Sequence, residues 1–130
     1  MNDAAPTFSA DAAGWARLFA AIDARDADAF AAFITEDGEF RFGNAPPVVG
    51  RAAIRAAVAG FFQAIGGCRH RLLGSWTGSG SAVCEGQVTY TRHDGSTLTV
   101  PFVNVFALRG GLIQSYRIYI DNGPLFSAPA

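Results

Sequence analysis

A chain of 130 residues with a formal charge of −1 has room for one domain with its own core and none for a second. Charged residues are 16% of it, against about 25% in an average soluble domain, while hydrophobic residues reach 50% with eleven Phe, a surplus that calls for an apolar cavity or a second subunit. Scattered arginines exclude the basic stripe that nucleic acid needs, and the lack of a membrane-length apolar run or a secretory opening predicts a cytoplasmic location.

The single domain is taken as residues 1–130, with 1–8 a loose lead-in. Ser9 is placed to cap a helix carrying Trp15, Leu18, Phe19 and Ile22 at helical spacing. Asp26 caps a second, shorter helix with Phe30, Phe33 and Ile34 on its buried edge, ending at the TEDG turn of Thr35 to Gly38. Phe40 and Phe42 alternate with Glu39 and Arg41 as a short strand with one apolar face. A Pro-containing loop from Gly43 to Gly50 leads to a third helix, Arg51 to Ile65, with Ile54, Val58, Phe61, Phe62 and Ile65 along one side. Gly66 and Gly67 stop it. Strands then follow at Cys68 to Trp76 and Val83 to Arg92, separated by TGSG, and the Asp94 and Gly95 turn leads into a long hairpin. Its arms are LTVPFVNVFAL and LIQSYRIYID, joined around Arg109, Gly110 and Gly111. The order α-α-β-α-β-β-β-β is that of an α+β fold.

Alternation along the hairpin's first arm puts Leu98, Val100, Phe102, Asn104, Phe106 and Leu108 on one face. Asn104 is thus an amide inside an apolar stripe. An unpaired buried amide costs roughly 1–3 kcal/mol, so a polar neighbour, a water or a bound molecule has to answer it.

This order of elements, with the segments WARLFAAIDARDADAFAAFITEDGEF, VVGRAAIRAAVAGFF and NVFALRGGLIQSYRIYIDNGPLF, resembles the nuclear-transport-factor-2-like or SnoaL-like superfamily, which includes ketosteroid isomerases, limonene-epoxide hydrolases and polyketide cyclases. The resemblance implies a conical barrel, a strongly curved, mostly antiparallel sheet wrapped around three helices, with a pocket at its wide end. It also implies pairing of two copies through the outer sheet face. Asn104, Tyr116, Ile118 and Ile120 would point into the cone, and Val103, Val105, Arg117 and Tyr119 outward. Several family acids are missing. The isomerase base falls at Phe42 and its phenol near Leu18, leaving only an echo of its second acid in Asn104. The epoxide hydrolase acids and Arg fall near Thr89, Ile118 and Gln87, and the mid-strand acid of the cyclases near Ile118.

The candidate catalytic residues are His70, Asn104 and Asp121. In CRHRLLGSW, His70 shares an alternating face with Leu72, Gly74 and Trp76 and would sit at the mouth as a neutral-pH acid or base; the alternative is a satisfied core histidine. Asn104 either polarises a ligand oxygen or bonds Tyr116. Asp121 either accepts backbone N–H groups in the turn at Asn122, Gly123 and Pro124, or folds back to orient His70. Trp15, Phe40, Phe42, Phe62, Trp76, Tyr116 and Ile118 are the candidate ligand-binding residues, with Arg41 and Asn44 as gate residues and His93 in a solvated turn. Cys68 and Cys84 have no metal or redox spacing and read as small apolar side chains, so neither metal nor cofactor is expected. Two readings stand: an isomerase, cyclase or hydratase-like or hydrolase-like enzyme working by acid/base chemistry on an apolar small molecule, or a non-catalytic protein that binds such a molecule or serves dimerisation. In both the partners are a small molecule and a second copy of the chain, not nucleic acid or membrane.

Overall fold

The computed structural model describes residues 7–126. The first helix, α1, runs Ala12–Asp23 and is capped by Asp11, whose Oδ1 accepts the Gly14 N–H at 2.8 Å. Ser9, the expected cap, instead donates its hydroxyl to that carboxylate at 2.8 Å. Gly14 is required here, since a Cβ would lie 1.6 Å from the Ser9 carbonyl oxygen. Phe8 belongs to the core rather than to a loose lead-in: its N–H bonds the Gly111 carbonyl at 2.7 Å and its ring meets Trp15 edge-on at 4.9 Å. Residues 1–6 of that lead-in lie outside the described residues.

Asp26 caps the short helix α2, Ala27–Ala31, by accepting from the Ala29 N–H at 3.0 Å. Strand β1, Ile34–Phe42, then begins earlier than expected, absorbing the TEDG segment. The segment still leaves its mark as a register shift between Ile34 and Glu39 against the neighbouring strand. A two-residue strand that the sequence pattern missed, β2 at Val48–Val49, precedes α3, Arg51–Ala64. Then come β3 Gly67–Gly78, β4 Ser81–Thr91, β5 Thr97–Arg109 and β6 Leu112–Ile120, with a 3-10 turn at Gly123–Leu125. Gly110 and Gly111 join β5 to β6 at φ +59° and +77°, the left-handed pair that a two-residue hairpin turn demands.

The strands form one curved, open sheet in the order β2-β1-β6-β5-β4-β3, antiparallel except where β1 runs beside β6. The architecture is α+β, with the three helices against the concave face. Leu18, Ile34, Ile54 and Ile113 are fully buried there, each worth about 1.5–3 kcal/mol relative to exposure. No helix of the described residues is long and apolar enough to cross a membrane.

One irregularity decides which side chains face the interior. A bulge in β3 between Leu72 and Gly74 lies opposite Gly86 of β4, where a Cβ would come within 2.2 Å of the Arg71 carbonyl oxygen. The strands approach this closely because residue 86 has no side chain. The extra residue reverses the alternation. Before it, His70 and Leu72 pair with Val88 and Gly86 on the inner face; after it, Gly74 and Trp76 pair with Glu85 and Val83 on the outer one. Trp76, expected inside, is therefore 55% exposed, its indole lying over Gly74.

Candidate active-site cavity

Between the concave face and α3 lies a cavity of about 200 Å³. Period-two alternation brings Phe40 and Phe42 of β1 and Tyr116 and Ile118 of β6 to its wall, because Phe40 pairs with Tyr116 and Phe42 with Ile118. Helix α3 contributes Phe61 and Phe62, and the ring of Phe61 meets that of Phe42 edge-on at 5.0 Å. The wall is thus aromatic and apolar, with a few hydrogen-bonding groups set in it.

Asn104 is one of these groups. It stands on β5 between Cys84 and Ile118, is 2% exposed, and its Oδ1 has no hydrogen-bond partner among the described residues. The bond to Tyr116 weighed from the sequence is not made. Burial holds the Tyr116 hydroxyl well above its ordinary pKa, so it stays a neutral phenol.

His70 is another, and an acid that the sequence reading did not select holds it. Asp23, the last residue of α1, places Oδ1 2.6 Å from His70 Nδ1, while its Oδ2 accepts the His70 backbone N–H at 3.1 Å. The imidazole stacks on Phe19 at 4.7 Å and meets Phe102 edge-on at 5.3 Å. With Nδ1 taken by the carboxylate, Nε2 is the ring nitrogen left for a ligand. Cys68, two residues earlier on the same inner face, puts Sγ 3.5 Å from the Ile22 carbonyl and 3.9 Å from Asp23 Oδ1. Burial, with the Asp23 charge adding to it, pushes its thiol up to about 12.

The cavity therefore gathers His70, Asn104, Phe40, Phe42, Phe62, Tyr116 and Ile118. It does not gather the others. Trp15 is buried behind the wall, in the layer of Phe8 and Phe106. Trp76 is turned outward by the bulge. Asp121 is exposed and accepts the Gly123 N–H at 3.1 Å, so it serves its own turn and does not reach His70. Arg41 and Asn44 are exposed, and Ala45, Pro46 and Val48 of that loop line the cavity instead. His93 is in an exposed turn, with Nε2 2.8 Å from the Gln63 carbonyl. Asp23 was hidden among the charges of the AIDARDAD run: it follows Phe19 by four residues on one helix stripe, but that Phe19 is the ring under His70 emerges only from the fold.

A family model described as a SnoaL-like domain matches residues 15–116. Among solved structures, a putative SnoaL-like polyketide cyclase from Jannaschia sp. CCS1 superposes with a TM-score of 0.78 at 19% identity, over 100% of both chains. An NTF2-like protein of unknown function from Burkholderia pseudomallei K96243 gives 0.77 at 16% identity, covering 85% of this chain and 90% of its own. TerC, crystallised with polyporic acid, gives 0.73 at 20% identity, covering 85% of this chain and 91% of its own. No curated protein matches the chain.

Proposed function

The chain belongs to the SnoaL-like domain family, and from that premise we propose that it is a small-molecule enzyme which moves a proton on an apolar, ring-bearing substrate. The observation that carries this reading is the Asp23 and His70 pair set in the wall of an aromatic cavity that also contains the unanswered amide of Asn104. A dry cavity of about 150 Å³ holds benzene, so a space of about 200 Å³ suits a substrate of one or two rings. TerC, of the same fold, was crystallised with polyporic acid, which favours testing aromatic ligands first.

In this mechanism His70 Nε2 takes or delivers the proton. Asp23 fixes the tautomer and stabilises the imidazolium, as the carboxylate on Nδ1 does in a Ser-His-Asp triad. Asn104 hydrogen-bonds the substrate oxygen on which charge develops. Isomerisation, cyclisation and hydration all need a proton moved beside a polarised oxygen, and this arrangement serves each of them. The Phe42, Leu18 and Ile118 positions supply no second acid, so one histidine must act as both base and acid. We further propose that two copies pair through the outer sheet face, which leaves Leu73, Trp76 and Tyr119 more than half exposed in the single chain.

Thermal unfolding in the presence of phenols, steroids and terpenoid epoxides tests the reading, because a ligand of the folded state raises its stability. Oxygenated compounds of one or two rings are expected to raise Tm and at least one of them to be turned over. Binding without turnover, unchanged in His70→Ala, would leave a binding protein in place of an enzyme. No shift with any compound would remove the site.

A further inference from the structure

We propose that Asp23, Cys68 and His70 form a site for a thiophilic divalent cation, zinc above all, open on one side to the cavity. The argument begins with register. Cys68 and His70 are two residues apart on β3, before the bulge, so both side chains point inward, and the C-terminal end of α1 delivers the Asp23 carboxylate to the same place. One donor atom from each lies within 4.8 Å of the others.

The spacing is close to what a metal needs. Bonds of about 2.0–2.3 Å at tetrahedral angles put zinc's ligand atoms roughly 3.3–3.7 Å apart. Here Sγ and Oδ1 are 3.9 Å apart, Nδ1 and Oδ1 2.6 Å apart, and every pair of donor atoms lies within 4.8 Å, so the hydrogen-bonded pair has to open by less than an ångström and the thiol to move toward the imidazole by about an ångström at most. Asp23 Oδ2 is held by the His70 backbone N–H, which anchors the carboxylate and leaves Oδ1 for the cation, as outer contacts do in metal sites. One sulfur, one imidazole nitrogen and one carboxylate oxygen are a zinc-type donor set; magnesium and calcium prefer oxygen throughout. Three protein ligands beside a cavity leave the fourth position to water or a small molecule.

The protons balance. The cation displaces one proton from the Cys68 thiol to solvent, and the imidazole proton moves from Nδ1 to Nε2, so binding releases one proton. This site goes beyond the acid/base reading above. Nδ1 and Oδ1 cannot share a proton and hold a cation together, so a bound cation disconnects Asp23 from the histidine.

The test is cobalt titration of tag-free protein stripped with chelator, read as the near-ultraviolet sulfur-to-cobalt charge-transfer band. One equivalent per chain is expected to develop the band, zinc to abolish it by displacement and to raise Tm, Cys68→Ala to remove it, and Cys84→Ala to retain it. Cys68→Ser, which keeps size and a hydroxyl, covers the case in which the alanine variant does not fold, and it too should lose the band. Absence of the band in folded wild-type protein, or a band that persists in both Cys68 variants, overturns the site. Shifts with organic ligands are measured on the stripped protein, so loss of the metal site and loss of the proposed function register separately.

Discussion

The Asp23 carboxylate grips His70 at two points, one oxygen 2.6 Å from ring Nδ1 and the other 3.1 Å from the backbone nitrogen. A side chain at the end of α1 thereby fixes both the position of β3 and the rotation of the imidazole carried on it. Because the ring also stacks on Phe19 of the same helix, the orientation of the candidate base is part of how the first helix seats on the sheet. Fold and site depend on one contact.

Removing the histidine and weakening its partner should separate in kinetics. With a substrate in hand, His70→Ala is expected to lower kcat about 10²–10⁴-fold, the usual contribution of a positioned acid/base. Asp23→Asn keeps the shape but not the charge that steadies the imidazolium, so its kcat should fall between the two. Steady-state rates on the three proteins check the order. Equal rates in His70→Ala and wild type would make the pair a structural clamp only.

Asn104→Leu should divide stability from binding. Its Oδ1 is buried without a partner among the described residues, and exchanging such a group for an apolar one of similar size is neutral or stabilising, here by up to about 1 kcal/mol. Urea unfolding midpoints should therefore hold or rise. The Tm shift given by an oxygen-bearing ligand should shrink in the same protein. A variant that is destabilised by more than about 2 kcal/mol would mean the amide answers an internal group instead.

What could be read in advance follows from physical regularity. Unbroken alternation in β5, and in β6 from Tyr116 onward past a bulge at Gln114, made the inward facing of Asn104, Tyr116 and Ile118 legible, and helical spacing located α1 and α3. Trp76 was misread because nothing in LLGSW announces an extra residue; the partner that permits the bulge, Gly86, lies on another strand. Asp23 was missed for a related reason. Its partner His70 is 47 residues away, and only the packed helix brings them together. Phe8 passed for lead-in because one aromatic has no period.

Two Gly→Ala changes, one opposite the bulge and one on a helix, should shift stability in opposite directions. Gly86→Ala puts a methyl 2.2 Å from the Arg71 carbonyl oxygen, so β3 and β4 must part or shift register. The expected cost is about 1–3 kcal/mol, that of overpacking a close contact. Gly60→Ala, at an exposed position of helix α3 with nothing within 4 Å of the new Cβ, should instead gain about 0.5–1 kcal/mol by helix propensity. Calorimetric Tm values that moved in the same direction for both would contradict this account of the sheet's curvature.

The two thiols predict alkaline behaviour. Burial raises Cys68 and Cys84 from 9.0 to about 12 in the folded chain, so above pH 9 the unfolded chain gives up protons that the folded one keeps. Fewer protons on the unfolded state means stability falling with pH. The contribution is fully present below about pH 9 and is lost as pH climbs to about 12; the buried hydroxyls of Tyr90 and Tyr116 act in the same sense at higher pH. Urea midpoints should decline steadily between pH 8.5 and about 10.5 in wild type and less in the Cys68→Ala, Cys84→Ala double variant. Equal slopes in the two proteins would mean that the thiols are solvated.

The outer sheet face should bring two chains together. Cross-strand pairing sets Trp76, Val83, Val105 and Arg117 in one row and Gly74, Glu85, Val103 and Tyr119 in the next, a mostly apolar surface with Arg117 at the end of one row and Glu85 inside the other. A stable pair buries about 800 Å² per partner around such a centre, with aromatic side chains among its strongest anchors. Sedimentation should find dimers at micromolar concentration. Trp76→Glu combined with Tyr119→Arg should yield folded monomers, because both positions lie outside the core and their exposed side chains support no interior packing. If wild type sediments as a monomer at every concentration reached, the exposed tryptophan and tyrosine must be accounted for by some other partner.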